Sequence, residues 1–378
     1  MKWWLGVLLL SALIWAACAW FGWGEQRKLF MAEGKDALCD FWMTRDCFDG
    51  GYVRNDGRIA SGWYMPDELE QGLVTPHEWR PGAIYRSGKA GRIYPALALL
   101  PIGLFPATWM GGWCWSVITC ILFLCSLVVI AGYRWWPIML VGSMPVIFSI
   151  ERGNPIWLSA VACGVFLAWW DDKDGRRRII AAICLAVAAV MKISPIVLGA
   201  LYVPEIIKTR FSKKELKMPI AVAVSCIILF CLPWLAVPDG FAGIFEFLEN
   251  AMGNEDFAMR LSAFGLVPIW RIVRTLMGVN VDVAWPGMYW LAGVSQALGL
   301  TAVVVGAIRR NYLVLVGGML MVSGNMYYYG ALYLLPVLVL RQLRGEVFKW
   351  ELLLWLVMLC PLQIVVMGHS GNPFLCNI

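Results

Sequence analysis

Apolar residues run along this chain in blocks separated by short polar turns, from residue 3 to residue 367. A helix needs about 20 apolar residues to cross a bilayer. Candidate spans lie at residues 3–23, 113–131, 135–150, 154–170, 177–191, 194–208, 218–236, 284–308, 312–323, 327–340 and 347–367, several of them short. Two further apolar pieces, 93–109 and 262–278, are interrupted by prolines or by Arg271 and Arg274 and read as half-membrane or re-entrant helices. Residues 24–92 form the one long polar stretch, with acidic and basic residues nearly balanced, and read as a loop or small subdomain. The pattern predicts an all-α integral membrane protein, one polytopic domain over residues 1–378, with about eleven spans.

The short basic turns orient this array. Tyr133-Arg134, Asp171 to Arg178, Lys208 to Lys217, Arg309-Arg310 and Arg341 to Arg344 should all face the cytoplasm. With Lys2 also inside, that holds only if 93–109 and 262–278 do not cross. The N-terminus is then cytoplasmic, and the 24–92 loop and the C-terminus lie outside. The outer connections collect nearly all the polar residues that are not simply basic: the 24–92 loop, Glu151 to Asn154, Met191 to Pro195, Val237 to Leu261 and Ser323 to Tyr329. Trp15-Ala16-Ala17-Cys18 loosely resembles a lipoprotein cleavage site, but the apolar run continues past it, so the first segment reads as a retained anchor.

Composition agrees with a lipid solvent. Hydrophobic residues make up 60% of the 378 and charged residues 15%, against about 25% charged in a soluble domain. The mean hydropathy is +0.69. The 22 Trp and 12 Tyr suit interfacial belts. The net charge of +6 sits in the turns between spans, which argues against a nucleic-acid partner. Most of the 12 Cys fall inside apolar blocks, where a thiol is a small hydrophobe. Cys39, Cys47 and Cys376 fall outside, and the first two leave a disulfide or free thiols open. His77 and His369 stand alone, and no spacing suggests a metal site.

Chemistry concentrates on the outer side. Asp40 follows the first anchor in Cys39-Asp40-Phe41-Trp42, at the water–lipid boundary, and is a candidate general base. Asp36, Asp46 and Asp49 lie close by, so a solvated loop carboxylate is the competing reading. Glu151-Arg152-Gly153-Asn154 is a charged turn between two spans, where ionisable groups are costly enough to suggest function, although the pair could merely end two helices. Lys192 sits at the outer edge of an apolar helix, against the positive-inside bias, and either binds an anion or snorkels.

These residues carry a resemblance. Pro145 to Val203 has a Gly-Asn-Pro turn, a span, a basic turn and a span ending Ala188-Ala189-Val190-Met191-Lys192-Ile193-Ser194-Pro195. It resembles the GT-C glycosyltransferases of the polyprenyl-phosphate-mannose-dependent mannosyltransferase type, glycosyltransferase family 87. Asp40-Phe41 is similar to the first-loop Asp-Phe pair of that group, and Ile93-Tyr94-Pro95 to its Tyr-Pro-Pro helix. This chain departs from the pattern at the turn, which lacks a Gln, and at Ser323 to Tyr329, which lacks the paired histidines.

The resemblance implies a GT-C-like fold and an active site on the outer face of the inner (plasma) membrane. A hexose or pentose, mannose first among them, would pass from a polyprenyl-phosphate donor to a lipid or glycan hydroxyl. Asp40 would be the base. Arg152, Lys192 and Arg260 would hold the donor phosphate, and Tyr94, Asn154, Asn325 and Tyr328 would contact substrate. A single base implies inversion. No cofactor and no metal is expected, since the leaving group is a monophosphate and no Asp-x-Asp motif occurs. The competing readings are a lipid-linked glycan transporter or flippase and an outer-face polymerase or ligase using Arg80, Arg86 and Arg92. No second copy of the Glu151 to Pro195 pattern, as an inverted-repeat transporter would show, is found.

Overall fold

The computed structural model describes residues 38, 40–41, 44–45, 52–53, 59–60, 94–106, 108–237, 240–252, 264–277, 286–323, 328–346, 364–367 and 373–376. Helices dominate these residues. The expected first span, 3–23, and most of the last, 347–367, lie outside them, as does most of the 24–92 loop.

The first interrupted piece folds as α1 (Ala96–Gly103), eight residues with Pro101 inside. At 1.5 Å per residue it covers about 12 Å, under half of a hydrocarbon core of about 30 Å. That fits a half-membrane helix. Thr108 then caps α2 (Trp109–Ile130) by accepting from the Gly111 N–H at 3.1 Å. This helix is long enough to cross. The chain continues through α3 (Met144–Arg152), α4 (Ile156–Trp169), α5 (Gly175–Met191), α6 (Tyr202–Lys208) and α7 (Lys213–Cys231). Then come α8 (Ala242–Met252), α9 (Leu266–Leu276), α10 (Pro286–Arg309), α11 (Tyr312–Val322) and α12 (Leu334–Arg344). The second interrupted piece is α9, again short, at 11 residues.

Three expected spans are broken rather than continuous. Residues 135–150 fold as a 3-10 run, Trp136–Gly142, and then α3; 194–208 as Ser194–Leu201 and then α6; and 327–340 as Tyr328–Tyr333 and then α12. Pro137, Pro145 and Pro195 stand at the first positions of such segments, where the missing N–H costs least, and within a longer helix each would break the ladder. Among the described residues, three helical stretches are long and apolar enough to cross a membrane: Met110–Ile130, Glu215–Ala236 and Tyr289–Arg309. Ile156–Trp169 and Tyr312–Val322 are shorter apolar helices. Two short antiparallel hairpins, Tyr52–Val53 with Ile59–Ala60 and Ile364–Met367 with Pro373–Cys376, are the described strands. The second of these falls where the last expected span would end.

The core lies between α2, α4, α5, α11 and α12, with Phe123, Trp157, Phe166, Leu185, Leu315 and Leu335 wholly inside. Trp157 meets Phe123 edge to face at 5.3 Å between ring centroids. Helices α10 and α11 form a tight hairpin. A Cβ placed on Gly318 would stand 2.6 Å from the Gly299 carbonyl oxygen, so only glycine permits this approach. Outward faces are apolar: Val117, Ile118, Ile121 and Leu122 on α2 and Ile220, Val224, Ile227 and Ile228 on α7 are exposed. Side chains at that spacing on a soluble surface would cost stability; in contact with lipid they do not.

Basic turns gather at one end of the bundle. Arg310, after α10, pairs with Asp171 at 3.4 Å and with Glu205 at 2.5 Å, while Arg178 pairs with Glu215 at 3.5 Å. Arg341 donates to the Asn311 side-chain carbonyl at 3.2 Å. The charge pattern placed these turns on a common side, and the fold joins them. The other ends of the antiparallel pair α4 and α5, about 20 Å away along the helices, carry Asn154 and Lys192.

Candidate active site

Asp40 comes from the chain before the bundle, yet only 3% of its surface is exposed. Burying a carboxylate costs several kcal/mol unless it is paired and hydrogen-bonded. Here it is both. Arg152 Nε donates to Oδ2 at 2.9 Å and Nη2 to Oδ1 at 3.0 Å, a fork-to-fork contact, and Asn154 Nδ2 donates to Oδ2 at 2.7 Å. The bland alternative, a loop carboxylate in water, does not describe this residue.

The turn that offers those donors is built for the purpose. Helix α3 ends at Arg152, and Gly153 follows in the left-handed conformation at φ 64°. This reverses the chain so that Arg152 and Asn154 point to the same carboxylate. Asn154 then turns its own carbonyl to the next helix and accepts from the Ile156 N–H at 2.8 Å. Trp115 of α2 donates its indole N–H to the Gly153 carbonyl at 2.9 Å, fixing the turn from the other side. Gly153 has a second reason to lack a side chain: a Cβ would meet Phe41 Cβ at 2.7 Å.

Asp40 is seated by its neighbours. Leu38 and Phe41 are fully buried and pack with Ile102 and Trp115. Asp40, Phe41, Thr44 and Arg45 are helical, and the Thr44 hydroxyl donates to the Asp40 carbonyl at 2.6 Å. Arg45 Nη1 reaches the end of α1 and donates to the carbonyls of Gly103 at 2.7 Å, Phe105 at 2.8 Å and Ile102 at 3.4 Å. Arg45 did not figure among the candidates read from sequence. Five residues, about one and a half helical turns, separate it from Asp40, so it does not share that residue's face and no spacing in the sequence signalled it.

Lys192 closes α5 in extended conformation and is half-buried. Burial holds its ammonium below the ordinary lysine range, and the nearby Asp40 carboxylate pushes it part of the way back. The preceding Met191 packs with buried Tyr94, Ala98 and Leu99, and Leu158 of α4 touches both this cluster and the one around Phe41. Tyr94 is thereby tied to the Lys192 end of α5. Ser116 and Ser149, both fully buried, have hydroxyls with no partner among the described residues, and Ser116 faces Gly153.

Asp40, Arg152, Asn154 and Lys192 are thus brought together, with Tyr94 beside them. Tyr328 opens the 3-10 run Tyr328–Tyr333, which packs against α3 and α4. That run is anchored by Tyr333, whose hydroxyl donates to Ser159 at 2.7 Å, and Ser159 in turn donates to the Ala188 carbonyl of α5 at 3.0 Å. Arg260 and Asn325 lie outside the described residues.

No curated protein and no solved structure matches the chain. The model of glycosyltransferase family 87 matches residues 93–324, more than half of the chain, including Tyr94, Arg152, Asn154 and Lys192. Asp40 precedes the matched stretch but is held by residues inside it. The chain belongs to glycosyltransferase family 87, a GT-C-type family.

Proposed function

We propose that this glycosyltransferase moves a sugar, mannose in the first instance, from a polyprenyl-phosphate donor to a lipid or glycan hydroxyl at the outer face of the cytoplasmic membrane, inverting the anomeric carbon. The observation that carries the proposal is the buried contact of Asp40 with Arg152 and Asn154, beside Lys192. Among the described residues of the site, one carboxylate, Asp40, stands with two cations, Arg152 and Lys192, a positive balance. A membrane-held phosphate monoanion or dianion is a fitting partner for it.

The acceptor oxygen attacks the anomeric carbon while Asp40 takes its proton, and the bond from that carbon to the phosphate oxygen breaks with its electron pair going to phosphate. Charge grows on the leaving phosphate as it does so. Arg152 and Lys192, with Arg260, offset that charge where water is scarce and electrostatic interactions are strong. Arg152 serves both partners: its fork aims the carboxylate before the donor arrives and is within reach of phosphate once it does. Tyr94 and Asn154, with Asn325 and Tyr328, would contact the sugar and acceptor.

Purified protein in lipid vesicles, given polyprenyl-phosphate carrying radiolabelled mannose together with membrane-lipid extract, should form a new labelled product, whereas labelled nucleotide mannose should give none. Label that crosses the bilayer without entering a new product would overturn the proposal in favour of transport.

A further inference from the structure

Asp40 lies in a stretch that precedes the bundle, and a base must be held to within a fraction of an ångström to act. Two anchors hold this stretch. At one end Asp40 is bound to the turn between α3 and α4. Five residues on, Arg45 donates to three carbonyls, Ile102, Gly103 and Phe105, at and just beyond the end of α1. The last carbonyls of a helix lack internal partners and carry the negative end of its dipole. The Gly103 and Phe105 carbonyls take the guanidinium as donor, and the Ile102 carbonyl shares it with the Phe105 N–H at 3.0 Å. Ile102, in the last turn of α1, packs with Phe41, and the helix begins beside Tyr94, which packs with Met191 next to Lys192.

We infer that Arg45 is a positioning residue, the clamp that fixes the Asp40 turn to the end of α1 and so sets the base relative to the helix that Tyr94 precedes. This inference rests on Asp40 being the base. Through these backbone carbonyls Arg45 acts on the base by position, so its effect falls on the rate of the chemical step and not on donor affinity. A misplacement of about 1 Å at a catalytic group costs on the order of 10²-fold in rate.

The experiment compares Arg45→Ala, Arg45→Lys and Asp40→Asn in the full chain, purified in detergent, with polyprenyl-phosphate mannose as the probe. For Arg45→Ala, kcat should fall by about 10²-fold while the donor KM stays within about twofold and the melting temperature of the bundle is kept. Arg45→Lys keeps a cation on the same carbonyls and should restore most of the rate, and added guanidinium ion should restore part of it to the alanine variant. If Arg45→Ala does not fold, Arg45→Gln, which keeps a donor without the charge, decides the matter by the same split. Wild-type kcat in the neutral variant, a loss expressed only in KM, or an equal loss in the lysine and alanine variants would overturn the clamp. Should Arg45→Ala be fully active while Asp40→Asn is dead, the clamp fails and the base stands; should Asp40→Asn be fully active, the base fails and the clamp with it.

Discussion

Each polar side chain around Asp40 answers a cost set by burial. The carboxylate is paid for by a guanidinium and an amide, the amide oxygen by a backbone N–H of α4, and the turn itself by the indole of Trp115. Gly153 makes this geometry possible, so Gly153→Ala tests it. The substitution forces a left-handed alanine, at about 1–2 kcal/mol, and drives its Cβ to 2.7 Å from Phe41. Transfer activity should fall at least about tenfold and thermal stability should drop, as read by radiolabel transfer and a melting curve. Lys192 permits a pH test. Its pKa is lowered by burial, so its positive charge is lost at a lower pH than in an ordinary lysine. Donor KM should therefore rise on the alkaline side sooner than a free lysine would dictate, and Lys192→Arg should remove that limb; a KM flat with pH in the wild type contradicts a phosphate contact by Lys192.

At the scale of elements, helical stretches and their interruptions were legible where apolar length and proline agree. Block 113–131 became α2, and the Pro-interrupted piece 93–109 became the short α1. Blocks 135–150, 194–208 and 327–340 read as single spans because hydropathy averages over a window and does not register where one backbone N–H is missing. Each divides into a 3-10 run and a helix; in 135–150 Pro145 opens the second segment, while Pro137 and Pro195 open the 3-10 runs. The tight hairpin of α10 and α11 was not legible either, since Gly299 and Gly318 meet only when the two helices cross. Replacing Gly318 with Leu should force the hairpin apart at about 1–3 kcal/mol, seen as a lower melting temperature; an unchanged melting temperature would mean that the crossing is not a packing contact.

Over the whole molecule, charge separated the two ends more clearly than it placed any one residue. The basic turns at 171–178, 208–217, 309–310 and 341–344 meet through ion pairs and hydrogen bonds at one end, and the candidate site lies at the other. The convergence of Arg152 and Asn154 on Asp40 was not legible, because 112 and 114 residues separate them and only the Gly153 turn brings both to one carboxylate. The proposed orientation puts the basic end in the cytoplasm. Reporter fusions truncated at residue 173 should then be active as cytoplasmic reporters, and those truncated at residue 193 as external ones, with the reverse result contradicting the orientation. The central claim, that Asp40 is the base of a lipid-phosphate sugar transfer, is tested most directly by the rate of transfer from radiolabelled polyprenyl-phosphate mannose in the Asp40→Asn protein. An amide keeps the size of the carboxylate but cannot take the proton, so a folded variant should retain donor binding and lose at least about 10²-fold in kcat. Transfer at the wild-type rate would contradict the account.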